Sequence, residues 1–485
     1  MSKVVSNYYL SILKRHKKLL LIYVLIGFVA FPMATLISND VHYGRGIYEF
    51  GLIMNGLFMI ICGMVLPPII YKFMLNKRSV DTYFALPIKR KHLFDVHYLA
   101  GLTAMLVPLM INFLLGVLIL TVRFGLGRLP LLALFLFVFE MVAATALYSL
   151  NVFIVNKTNN LVDAVLLIAA YTILPCMAIM CLAGFIARFT VGYTAVYWDY
   201  SRLFDYFSPF TVMIRLMNYS LDKITLKDIG IFWLFYEMAM IVIFYIWSMK
   251  TFEKRQGEDS EQRSNDFFAY PLVVNLASVL LLSMYIIDFS NLTLTIGILV
   301  ITFVIYLAMH FVSRRSMKVT ARIVIKYFAI LITFNVIALV AHKTAFFGYN
   351  YTQPKLEPYN YLVVECEFYK DGDWTSEDYS AVINLKNVSQ SEQRLVEEVL
   401  NLQTIAADYK KNAAFNSNDY SDYYRSNERE EVSVFVRLRN KINEYDSGEL
   451  YYHYLLPKEL VGDFVENENF KPTYWRDAVE TEIVD

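Results

Sequence analysis

Charge is what this sequence has least of. Asp, Glu, Lys and Arg make up 18% of its 485 residues, hydrophobic residues make up 57%, and the mean hydropathy is +0.43. A water-soluble domain carries about 25% charged and about 45–50% apolar residues. The apolar excess needs a cover larger than the chain's own core, and a bilayer supplies one. The same figures exclude disordered, collagen-like and coiled-coil classes. Cysteine is scarce too. Cys62, Cys176, Cys181 and Cys366 cannot frame a disulfide scaffold, and no common zinc-ligand spacing occurs among them. His92, His310, His342 and His453 lie far apart in the sequence. There is no G-x-x-x-x-G-K-[ST] phosphate cradle, no G-x-S-x-G, no H-E-x-x-H and no Rossmann glycine pattern. We therefore expect no catalytic residue, no metal and no cofactor in this chain. Nucleic-acid binding is not expected either, because the basic residues hug the apolar runs and form no single patch.

The zero net charge hides a division. Residues 344–485 hold 27 acidic and 14 basic residues, leaving 17 acidic and 30 basic before them. Such asymmetry predicts two environments. The first part reads as membrane and the second as a soluble acidic domain.

A spanning helix needs roughly 20 mostly apolar residues. Nine stretches qualify as candidates: Leu19–Ile37, Phe50–Tyr71, Val96–Val122, Pro130–Val155, Leu161–Ala187, Ile229–Ser248, Tyr270–Ile287, Leu292–Phe311 and Val324–Ala341. The basic, amphipathic stretch before the first lacks a small-residue cleavage site, so that helix is expected to persist in the mature protein. Lys and Arg set the orientation. With the N-terminus inside, the inner segments carry Lys14, Arg15, Lys17, Lys18, Lys77, Arg78, Lys89, Arg90 and Lys91, and later Lys250, Lys254, Arg255, Arg263, Arg314, Arg315, Lys318, Arg322 and Lys326. The outer segments carry few. An odd number of spans then places the acidic domain outside the cell, whereas a miscount of one would place it in the cytosol. The expected fold is a polytopic α-helical membrane protein of about nine spans with a C-terminal α+β domain.

Three carboxylates fall inside the apolar runs: Glu140, Glu237 and Asp163. A carboxylate at that depth costs several kcal/mol and is usually paired, protonated or functional. Glu140 and Glu237 are candidates for a polar substrate path or proton relay. Interhelical hydrogen bonds that fix packing are the alternative.

The densest local signal lies between the second and third spans, on the inner side. Asn76-Lys77-Arg78-Ser79-Val80-Asp81-Thr82-Tyr83-Phe84-Ala85-Leu86-Pro87-Ile88-Lys89-Arg90 reads as a short helix. Ser79 is its expected cap and Asp81 is favourable in its first turn. Val80, Tyr83 and Phe84 give it an apolar edge, and Pro87 ends it. Two roles fit: docking into a partner's groove, or lying at the interface on anionic lipid.

This loop resembles the first cytoplasmic loop of type-2 ABC transporter permeases from Gram-positive bacteria. The likeness lies in Lys77-Arg78-Ser79-Val80-Asp81 followed by Leu86-Pro87-Ile88-Lys89-Arg90. Phe207-Ser208-Pro209-Phe210 resembles that family's external Ser-Pro element, and Glu253-Lys254-Arg255 its charged exit from a six-helix unit. The resemblance covers residues 1–264. It implies a permease core with a coupling helix at 76–88 and an external re-entrant region at 189–228. It also implies docking of an ABC ATPase dimer through Lys77, Arg78, Asp81, Tyr83, Leu86, Pro87 and Lys89. ATP and Mg would be bound by that partner ATPase, and a second permease chain, identical or related, would complete the complex. Residues 265–343, with three more spans, and the external domain at 344–485 depart from the family core.

Outside, residues 191–228 are crowded with aromatics, among them Tyr197, Trp198, Phe207 and Phe210. They suit a gate or exit for an amphipathic substrate, or an aromatic belt at the interface. In the acidic domain, alternation predicts strands at 361–368, 432–438 and 449–454, the last two joined through Asp446-Ser447-Gly448. Helices are expected at 389–409, with Ser389 as cap, and at 457–464. Asp371, Asp373, Glu377 and Asp378 lack the spacing of an EF-hand loop.

The leading expectation is an exporter subunit in a bacterial cell membrane, handling a peptide antibiotic or another amphipathic compound and so serving antibiotic resistance. A membrane sensor or scaffold with a ligand-binding external domain is one alternative. An ion-coupled transporter working through Glu140, Glu237 and Asp163 is the other.

Overall fold

The computed structural model describes residues 3–37, 44–124, 128–193, 208–217, 231–264, 266–283, 292–357, 359–369, 376–412, 431–439, 450–457, 460–461 and 471–472. In chain order the helices are α1 (Lys3–Arg15), α2 (Lys17–Phe28), α3 (Ala34–Ile37), α4 (Gly44–Ile70), α5 (Lys77–Phe84), α6 (Arg90–Phe124), α7 (Arg128–Asn156) and α8 (Leu161–Phe189). The short strand β1 (Gly192–Tyr193) follows. Then come α9 (Pro209–Met217), α10 (Ile231–Lys254), α11 (Tyr270–Ser283), α12 (Leu292–Arg314) and α13 (Ala321–Lys343). The last part comprises β2 (Tyr361–Tyr369), β3 (Ser376–Asn384), α14 (Gln390–Asn412), β4 (Glu431–Arg439), β5 (Leu450–Pro457) and β6 (Lys471–Pro472).

Seven described helices are long and apolar enough to cross a bilayer: α4, α6, α7, α8, α10, α12 and α13. Large apolar side chains such as Leu118, Val138, Ile301 and Ile325 point outward from them, where only lipid could cover them. The protein is a membrane-embedded, multi-pass helical protein. Two of the nine expected spans look different. The first is split: α1 meets the helix beginning at Lys17 at 60°, the geometry of a broken span or of a re-entrant loop. Its continuation passes through a π turn at Val29–Met33 that contains Pro32, which cannot donate to the helical ladder. The seventh is a helix of 14 residues, α11, and residues 284–287 of that expected span lie outside the described residues.

Contacts divide the chain into two units. The first comprises residues 1–178 and 202–277. Its middle is α7, which packs against α4 and α10. Tyr71, Phe94 and Tyr148 are fully buried there. Their neighbours satisfy one another: Tyr98 Oη lies 2.6 Å from Ser149 Oγ, and Tyr245 donates to Asp95 Oδ1 at 2.6 Å. The amphipathic α1 buries Val5 and Ile12 against Val96 and Ala100 of α6 and leaves Lys14 and Arg15 exposed.

The second unit comprises residues 179–201 and 278–485. It contains a six-stranded antiparallel sheet in the order β1-β5-β4-β2-β3-β6. Register pairs Leu362 with Leu438, Val364 with Val436 and Cys366 with Val434, so one face is continuously apolar. Leu395, Val399, Leu402 and Ala406 of α14 close over it. Burial pushes the Cys366 thiol up, and it serves as a small apolar residue. All four cysteines are free. Ser389 and Glu392 cap α14 reciprocally: Glu392 N donates to Ser389 Oγ at 3.3 Å and Ser389 N to Glu392 Oε2 at 2.7 Å. Hydrogen bonds from the Ser389 backbone N–H and side chain to its carboxyl hold Glu392 below its ordinary range.

Alternation in the sequence did not announce β1, β3 or β6. Glu377 and Asp378 lie on β3, while Asp371, Asp373 and the 446–448 turn lie outside the described residues. Pro457 is the last residue of β5, and of the expected second helix only residues 460–461 are described, both of them helical. The segment after α8 is tied firmly into this unit. Asn350 Nδ2 donates to Phe189 O at 2.8 Å, Val191 N to Asn350 Oδ1 at 3.1 Å, and Gln403 Nε2 to Val191 O at 3.2 Å. Gly192 then pairs with His453. It sits at φ +77° against the Tyr454 ring, where a Cβ would collide, so glycine is required.

Candidate functional site

The expected elbow forms, on different supports from those the sequence suggested. Its N-cap is Asn76, whose Oδ1 accepts from Arg78 N at 2.9 Å. Ser79 is therefore one turn inside, and its hydroxyl donates back to Phe73 O at 2.7 Å and to Asn76 O at 3.0 Å. The extended backbone of Asn76 leaves its side chain free to cap, which corrects the cap expected at Ser79. No acidic residue lies in the first turn of α5, so Asp81 gains nothing from the helix dipole there.

An eight-residue helix is too short to hold itself in water. Packing holds α5. Val80 is buried. The Tyr83 ring stacks on Phe73 at 4.3 Å, and Arg15 of α1 donates to the Tyr83 hydroxyl. The Phe84 ring meets Phe252 edge-on at 5.8 Å. The Arg90 guanidinium covers Phe84 at 4.6 Å and donates to Glu253 O at 3.0 Å and Arg255 O at 2.7 Å. A cation–π contact of this kind contributes about 0.5–1 kcal/mol. Lys77 N donates to Glu261 Oε1 at 3.2 Å. The opposite face is open: Lys77, Arg78, Asp81, Pro87 and Lys89 are exposed, while Leu86 is half-buried. Asp81 also lies close beside Gly257, where a Cβ would stand 2.9 Å from Oδ1. Arg78 and Tyr83 border a groove of about 470 Å³ shared with Arg15, His16 and Lys72.

Behind the elbow lies a polar knot. Arg255 is only 5% exposed. It donates through Nη1 to Asn156 O at 3.0 Å and through Nη2 to Met74 O at 3.2 Å and Asn159 Oδ1 at 3.5 Å. Burial pulls its guanidinium down to about 10 against the opposing pull of Asp259, so it stays charged at neutral pH. Ser260 Oγ donates to the same Met74 O at 2.9 Å. Beside it, Asp163 accepts from Ser264 at 2.7 Å, Tyr270 at 2.8 Å and Asn160 at 2.7 Å. Glu253-Lys254-Arg255 is thus no simple charged exit, because Arg255 turns inward and fastens the ends of α7 and of the Lys72–Leu75 turn.

The other expected site residues are not gathered into this elbow. Glu140 lies near the middle of α7 and Glu237 in the first half of α10. Both are buried, and neither carboxylate has a hydrogen-bond partner among the described residues. Phe210 is half-buried in α9, behind a cap in which Ser208 Oγ accepts from Phe210 N at 3.2 Å. Tyr197, Trp198 and Phe207 lie outside the described residues. Among these residues the structure holds no cluster of His, Cys, Asp and Glu that could bind a metal.

Phe73, Asn76, Arg90 and Arg255 are the supports that sequence reasoning missed. Only Asn76, a cap-type residue just before a short amphipathic run, carried a local signal.

No family model, no curated protein and no solved structure matches the chain. The likeness to permeases therefore rests on the motifs of this sequence alone.

Proposed function

We propose that the chain is the transmembrane permease subunit of an ATP-driven ABC transporter of exporter type, and that α5 is the lever on which a separate ATPase subunit acts. One observation carries the reading. A short charged helix stands proud of a buried aromatic base, and that base is bonded to α1, α6 and the segment after α10. A force on Lys77, Arg78 or Asp81 cannot be absorbed by bending so short a rod. It passes through Phe73, Phe84 and Arg90 to helices that cross the bilayer. ATP and Mg belong to the ATPase dimer, and a second permease chain, identical or related, completes the particle.

The orientation is part of the proposal. Within the first unit, residues 76–90 and 252–264 bond to one another, as segments assigned by their Lys and Arg content to one side should. Within the second unit, residues 189–193 bond to the acidic domain, as segments assigned together to the other side should. The pairings say which segments share a side, and the Lys and Arg excess around 76–90 and 252–264 favours the cytoplasm for the first of them, which with nine spans gives a cytoplasmic N-terminus and an extracellular domain on a Gram-positive cell membrane. The substrate class is a peptide antibiotic or another amphipathic compound.

The test is purification of the complex from its native host, which should recover a Walker-A ATPase. Combined Arg78→Glu and Asp81→Lys should lower ATPase retention about tenfold or more, as reversed interface charges do. Undiminished retention by that double variant sinks the lever. Glu140 and Glu237, buried without partners, favour a second reading as an ion-coupled transporter. Transport that stops when the proton gradient collapses, with ATP intact, would select it.

A further inference from the structure

Where α7 and α10 end, the first unit carries an open cavity of about 550 Å³. Its walls come from the last residues of both helices and from the segment that follows α10. Five cations line it: Lys157, Lys250, Lys254, Arg255 and Arg263. Two carboxylates, Asp259 and Asp266, share the lining. Asp266 is taken by Lys157 at 2.8 Å, and Asp259 Oδ2 accepts from Gln256 N at 3.2 Å. Among the described residues, Lys250, Lys254 and Arg263 have no ion-pair partner. Two of the donors are buried as well as unmet. Arg255 directs its Nη groups to backbone and Asn159, and its Nε has no acceptor. Arg263 Nε is likewise buried without one. Buried guanidinium donors without acceptors are costly, and the accessible charges that an anion can meet directly are Lys250 and Lys254, both exposed.

The surroundings say what carries that anion. Lys157 Nζ lies 5.7 Å from the Phe268 ring centroid. Phe268 in turn contacts Trp247 at 6.4 Å and Phe267 at 5.4 Å. Trp247 is 47% exposed and Phe267 61% exposed. The cavity therefore has a cationic interior and an exposed aromatic margin, at the depth where a spanning helix leaves the hydrocarbon. Free phosphate would use only the interior, whereas a phospholipid uses both parts. We infer that this cavity holds the phosphate of an anionic membrane phospholipid, with the acyl chains lying along Trp247 and Phe267. The inference needs only that α7 and α10 cross a bilayer, and it stands whether or not an ATPase docks on α5.

The test uses the full chain in neutral detergent, titrated with dioleoyl phosphatidylglycerol, dioleoyl phosphatidylcholine or inorganic phosphate and read by native mass spectrometry. Phosphatidylglycerol should be retained in preference to phosphatidylcholine. Lys250→Gln and Lys254→Gln should each weaken it about fivefold. Both side chains are exposed, so the fold should survive, and an unchanged thermal midpoint checks that. Trp247→Ala should weaken the lipid and leave phosphate unaffected. The exposed pair Lys17→Gln and Lys18→Gln removes the same charge elsewhere and should change nothing. Equal retention of the two lipids overturns the site, as does equal loss in the control pair. Phosphate binding as tightly as the lipid would make a free anion the ligand and overturn the lipid assignment. Recovery of an acidic protein in place of lipid would also overturn it.

Discussion

The ends and the middles of the membrane helices treat buried charge in opposite ways. At the ends of α7, α8 and α10, Arg255 and Asp163 are buried, yet each makes at least three hydrogen bonds to groups on neighbouring segments. Farther into the helices, Glu140 near the middle of α7 and Glu237 two turns into α10 are equally buried and make none among the described residues. Burial costs each group several kcal/mol. The ends recover that cost through bonding and so become structural. The middles do not, so hydrogen bonding among the described residues gives no return for burying Glu140 and Glu237.

Four substitutions sharpen or break this contrast. Asp163→Ala should have the largest effect. It strands Ser264, Tyr270 and Asn160, and we expect a loss of about 3 kcal/mol or more, read as a lowered thermal midpoint in detergent. Arg255→Met should cost about 2–3 kcal/mol by freeing Met74 O and Asn156 O, and should also raise hydrogen exchange across α5. Glu140→Leu runs the other way. Removing a partnerless carboxylate should stabilise the protein by about 1–2 kcal/mol, read as a raised thermal midpoint in detergent. A destabilisation as large as that of Asp163→Ala would end the distinction between ends and middles. Ser389→Ala is the smallest and lies in the second unit, where the capping box of α14 contributes about 1 kcal/mol. Because Glu392 is held below its ordinary range, the cap is intact above that range and fades as pH falls through the depressed value. Amide exchange at residues 390–393 across pH 3–6 reads it, and a flat profile would remove Glu392 from the cap.

What the sequence could reveal follows the same line. Period and hydropathy are local, so seven long spans, the elbow, β2, β4, β5 and α14 were legible to within a few residues. Pro87 was expected to end the elbow helix, which stops three residues earlier at Phe84. Long-range polar pairing is not local. Nothing near Arg255 in the sequence says that its partners are Asn156 and Met74, and nothing near Asn350 says that it grips Phe189. β1 escaped notice because a two-residue strand has no periodicity to detect. Asn76 was passed over for Ser79 because both are good caps, and only the extended backbone at Asn76 decides between them. At Glu140 and Glu237 the sequence left pairing open, and the described structure contains no pair.

The pairing of Gly192 with His453 has a bearing on how the protein is made. More than two hundred residues separate the two, so the ribosome delivers one edge of the sheet long before the other. The early segment must wait, its edge unpaired, while the later membrane helices are made. Closing that edge is then a late event in biogenesis, and a nascent chain stopped short of residue 450 would display an open seam to quality-control proteases.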